Sequence, residues 1–135
     1  MNRQKPEWML CALMAYGLSS ATIAEPLYGE AGQNNSVELV TVVGCLTEGS
    51  GDLPWMLERA TEGDIAETAY TNKDELEKSA NQALGALNYR LIGVGEFVID
   101  PHLAHKVQVK GIKLQYQGEW RLNVTPFQHL SPDCE

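Results

Sequence analysis

The stretch from Tyr89 to Gln115, YRLIGVGEFVIDPHLAHKVQVKGIKLQ, constrains the fold more than any other part of the chain. Val107 and Val109 alternate with Gln108 and Lys110, which makes this segment a strand with one face turned inward. Past Gly111 the apolar positions become Ile112, Leu114 and Tyr116, a phase shift of one residue that a bulge at Gly111 explains. Upstream, Tyr89 to Ile99 reads as a second strand, in which Gly93 and Gly95 permit the twist a small barrel demands. Asp100-Pro101 breaks it, and a tight connection through His102 to Ala104 joins the two.

The remaining elements follow from the same periodicities. Val37 to Thr47, VELVTVVGCLT, is β-branched and apolar, a first strand buried on at least one face, with Gly44 at a bend or bulge. EGSGDLP is a turn, and WMLERA, residues 55–60, is a short strand with Trp55 and Leu57 on one face. TEGDIAETAYTN is a polar loop without the alternating ligands and central glycine of a calcium loop. Leu76, Ala80, Ala83, Leu84 and Leu87 then form one stripe, which predicts an amphipathic helix over about residues 73–87. Asn72 is its cap, with Glu75 placed for a capping box. Gln117-Gly118-Glu119 is a hairpin turn, and residues 121–130 form the closing strand, where Pro126 requires an edge or a bulge.

Destination is written at the start of the chain. Arg3 and Lys5 precede an apolar run from Trp8 to Leu18 and then small residues through Ala24, the layout of a secretory signal over residues 1–24. The apolar run is shorter than the ~20 residues a membrane span needs, so no stable span is expected after cleavage. Residues 25–36 read as a flexible lead-in, and 37–135 as a single domain, for which 44% hydrophobic residues supply a core. Loss of Arg3, Lys5 and Glu7 moves the net charge from −8 to −9, a sign that repels phosphate backbones and argues against nucleic-acid partners. Cys45 and Cys134 remain, an even pair that in an exported protein reads as a disulfide. The expected location is periplasmic or secreted.

Strands of this number, with glycines at points of curvature, suggest a mainly β protein: a small five-stranded Greek-key barrel of the OB type with one helix. The segments VTVVGCL, YRLIGVGEF, HKVQVKG, RLNVT and the ending LSPDC resemble a family of small exported bacterial OB-fold-like proteins of uncharacterised function. That resemblance spans about residues 37–134 and implies the same barrel and the same bridged pair, Cys45 and Cys134. Ala104 departs from it, standing where a glycine is expected before His105. An OB barrel usually carries its helix between strands three and four, whereas the helix predicted here falls between strands two and three.

Chemistry is sparsely signalled. No nucleophile elbow, catalytic-cysteine context or phosphate-cradling loop is present, so no catalytic residues and no cofactor are expected. His102 and His105, with His129 as a third histidine, are the weak candidates for a metal. Spacing fixes no third ligand, and the phase of His105 with Val107 and Val109 favours a hydrogen-bonded histidine at the barrel edge. The leading expectation is a non-catalytic binding module for an oligosaccharide, peptide or protein of the envelope or extracellular space. Its surface would be lined by Lys110, Lys113, Tyr116 and Trp120. The alternative is a structural or stress-related envelope protein acting by self- or partner association.

Overall fold

The computed structural model describes residues 37–135; the expected signal peptide and lead-in lie outside the described residues. Its strands are β1 (Glu38–Glu48), β2 (Trp55–Ala60), the two-residue β3 (Asp64–Ile65), β4 (Leu87–Ile92), β5 (Lys106–Tyr116) and β6 (Glu119–Ser131). The order β2-β4-β6-β5-β1, with β1 pairing back onto β2, closes a five-stranded barrel of the OB-like kind. β4 and β6 run parallel, and the other barrel pairs are antiparallel. Alternation from all five strands meets inside: Val42, Leu46, Leu57, Leu91, Val107 and Leu122 are wholly buried in one cluster.

The region from Tyr89 to Gln115 differs from its reading as two joined neighbours. β6 lies between β4 and β5, so the two strands never pair. β4 ends at Ile92, and the chain crosses over through two 3₁₀ turns, Val94–Glu96 and Asp100–His102. The expected bulge is present, with its extra residue on β6. Gly111 pairs with Val124 and Val109 with Phe127, so Thr125 and Pro126 together face Lys110. Pro126 has no N–H to give the ladder, and the Thr125 hydroxyl donates to the Lys110 carbonyl at 3.1 Å.

Helix α1 (Lys73–Asn81) carries the predicted capping box: the Asn72 side chain accepts from the Glu75 N–H, and the Glu75 carboxylate accepts from the Asn72 N–H, both at 2.9 Å. It stops at Asn81, short of Leu87, because the following chain must press against β2. The Gly85 N–H donates to the Arg59 carbonyl at 2.8 Å, and a Cβ on Gly85 would lie 2.2 Å from the Ala60 carbonyl oxygen. The helix therefore sits between the second and third barrel strands.

Cys45 on β1 and Cys134 at the end of the chain form a disulfide with Cα atoms 5.7 Å apart. Closing a loop across a separation of 89 residues stabilises the fold by up to roughly 4–5 kcal/mol on the chain-entropy model. The Arg59 guanidinium lies against this bridge, 3.1 Å from the Cys45 sulfur, and also donates to the Cys134 carbonyl.

Candidate functional site

Of the four side chains expected to line a contact surface, one is out of reach of any ligand. Lys110 points away from the core, as alternation demands, but α1 and the loop before it cover that face of β5. Its side chain is 0% exposed. The ammonium donates to the Tyr70 carbonyl at 2.5 Å and forms an ion pair with Glu75 at 2.8 Å. The same face carries Lys106, which donates to the Ala80 and Gln82 carbonyls at the helix C-terminus, and Gln108, which donates to the Ser79 hydroxyl at 2.7 Å. Three polar residues of β5 thus hold the helix, and Lys110 has a structural duty.

The other three lie further along. Lys113 is half-buried, with its ammonium 4.5 Å from the Trp120 ring centroid and bonded to the Glu62 carbonyl at 2.9 Å. Trp120 packs against the core, which leaves Tyr116, 49% exposed, as the most open of the set. Its ring is covered on one face by the Arg121 guanidinium at 4.3 Å.

Arg121 leads to a feature that the sequence reading passed over. The β1–β2 loop and the start of β6 border an open cleft of about 340 Å³, lined by Ser50, Asp52, Leu53, Arg90, Glu119 and Arg121. Glu119 takes Arg90 at 2.7 Å and Arg121 at 3.1 Å, while Arg90 also donates to the Leu53 carbonyl at 2.6 Å. The Arg90 hydrogen bond, helped by the one from Arg121, holds the Glu119 carboxyl below its usual 4.5 despite partial burial. Two guanidinium groups stand with two carboxylates, Glu119 and Asp52, so the cleft lining is formally neutral within an acidic protein. A signal for it existed: in an OB barrel the first loop and the last hairpin flank the binding face, and here they are EGSGDLP and Gln117-Gly118.

The histidines come together from two distant segments. His102 and His105 stand on the turn entering β5, and His129 lies on β6 opposite Val107. One ring nitrogen from each falls within 4.8 Å of the others. His129 is 5.0 Å from both other rings, centroid to centroid. The turn is fixed by backbone bonds: Ala104 N–H to the Leu46 carbonyl, Leu46 N–H to the His105 carbonyl, and His105 N–H to the His102 carbonyl, all at 2.9–3.0 Å. Ala104 adopts φ 65, the left-handed conformation that glycine takes most readily. The Nδ1 atoms of His102 and His105 are buried without a hydrogen-bond partner, so His105 is not the hydrogen-bonded edge histidine its phase suggested. Burial, followed by repulsion from His129 and His105, holds His102 below its usual 6.5.

No protein-family model, curated protein or solved structure matches the chain.

Proposed function

We propose that this chain is an exported, non-catalytic binding module that takes a short oligosaccharide or peptide in the cleft between the β1–β2 loop and the β5–β6 hairpin. The observation that carries this reading is the position of the cleft at the loops where an OB barrel presents its ligand face. The lining suits such a ligand: fixed guanidinium donors, a carboxylate acceptor, the loop residues Ser50 and Asp52, and Tyr116 stacked behind Arg121. Export is supported by the Cys45–Cys134 bridge, which belongs to an oxidising compartment.

Screening the purified protein against glycan and peptide arrays tests the reading. Binding that is lost in Arg121→Ala, with the circular dichroism spectrum unchanged, is the expected result. No retained ligand on either array, together with a defined oligomer in solution, would favour the association protein instead.

A further inference from the structure

We propose that His102, His105 and His129 form a site for one divalent transition-metal ion of the zinc, copper or nickel type. The site is separate from the ligand cleft: His129 lies near the end of β6, whereas Glu119 and Arg121 stand at its start.

Three observations converge on it. The first is proximity, because three imidazoles contributed by the β5 turn and by β6 place a nitrogen each within 4.8 Å of one another. A tetrahedral ion bound at ~2.0–2.1 Å needs nitrogens about 3.3 Å apart, a contraction of up to about 1.5 Å that rotations of the three rings supply. The second is polar satisfaction. Among the described residues only three buried side-chain polar atoms lack a partner, and two of them are the Nδ1 atoms of His102 and His105. A buried nitrogen without a partner is costly, and coordination to a metal removes that cost. The third is rigidity, since the backbone bonds to Leu46 fix the turn before any ion arrives.

An aromatic cluster that merely packs is the competing account, and the contact of His102 with Phe127 at 5.6 Å belongs to it. Packing alone needs no nitrogen, and leucine or phenylalanine at these positions would fill the same space without stranding two polar atoms.

The donor set also selects the ion. Three imidazoles and no carboxylate suit zinc, copper or nickel, whereas calcium and magnesium want oxygen ligands. His129 is exposed, so the ion is reached from solvent, and three protein ligands leave a coordination position for water or an exogenous group.

The test uses untagged full-length protein freed of metal by chelator and dialysis. Calorimetric titration with Zn²⁺, Cu²⁺ and Ni²⁺ should show one ion per chain, with Ca²⁺ and Mg²⁺ giving no heat. His129→Ala removes an exposed side chain whose ring contacts are to the other two histidines, and with the circular dichroism spectrum unchanged it should weaken binding by roughly 100-fold. Cu²⁺ electron paramagnetic resonance should show nitrogen hyperfine structure that is diminished in the variant. Equal affinity in wild type and His129→Ala, or no binding by a folded wild type, overturns the proposal. Arg121→Ala, which empties the cleft of a guanidinium, should leave the titration unchanged, so the cleft and the histidines stand or fall separately.

Discussion

The first half of β5 and the turn that leads into it treat buried polar groups in opposite ways. Under α1, Lys106, Gln108 and Lys110 are all buried, and each makes hydrogen bonds to the helix or to the loop before it. At the turn entering the same strand, His102 and His105 bury a ring nitrogen apiece with nothing to bond. A chain that satisfies an ammonium completely a few residues away does not need imidazoles at the turn for packing. The contrast separates polar groups whose partners are internal from polar groups that find no partner among the described residues.

Substitutions can break the contrast or sharpen it. The largest effect is expected at Lys110→Ala, which removes a buried ammonium from the Tyr70 carbonyl and the Glu75 carboxylate and should lower unfolding stability by about 1–3 kcal/mol in urea. A loss under about 1 kcal/mol would show that the helix does not depend on this contact.

A smaller, pH-dependent effect belongs to Glu75. The hydrogen bond from Lys110, then that from the Asn72 backbone, holds its carboxyl below the usual 4.5. With the folded value depressed, its contribution is present above the unfolded value and lost as pH falls through the folded one. Urea unfolding from about pH 6 to about pH 3 should show acid destabilisation that is shallower in Glu75→Gln. Partial exposure of Glu75 to solvent keeps the difference modest.

At the histidines the sign should reverse. In chelator-treated protein, His105→Phe removes a buried unpaired nitrogen and should be neutral or stabilising by up to about 1 kcal/mol. A loss beyond about 2 kcal/mol would reveal an internal partner and dissolve the contrast. The smallest effect is expected at Ala104→Gly. Relief of the left-handed conformation, offset by the flexibility of glycine when unfolded, should raise stability by about 0.5 kcal/mol and appear as a small increase in Tm.

Much of this molecule could be read from local pattern. The inward positions of β5 and β6, the capping box of Asn72 and Glu75, the turn at Gln117-Gly118 and the pairing of Cys45 with Cys134 all follow from spacing and residue type. These are properties of a few neighbouring residues, or of a cysteine count, and no distant contact is needed to state them. The burial of Lys110 was of another kind. Alternation says that its side chain leaves the core, and only the docking of α1 decides whether solvent or a helix waits there. The helix end was hidden for the same reason, because Leu84 and Leu87 continue the apolar stripe while Gly85 is claimed by β2.

The histidine cluster shows the division most sharply. His102 and His105 are three residues apart, and their pairing at a turn is visible in the sequence itself. His129 is not. An unbroken ladder counted back from Tyr116 and Glu119 would set Gln128 opposite Val107. The bulge at Thr125 and Pro126 advances the register by one residue, which sets His129 opposite Val107 instead, and a one-residue slip exchanges the faces of a strand. From the sequence, Pro126 called for an edge or a bulge, because proline cannot serve the ladder. Only the closed barrel decided which strand would absorb the extra residue, and with it whether the third imidazole would meet the other two.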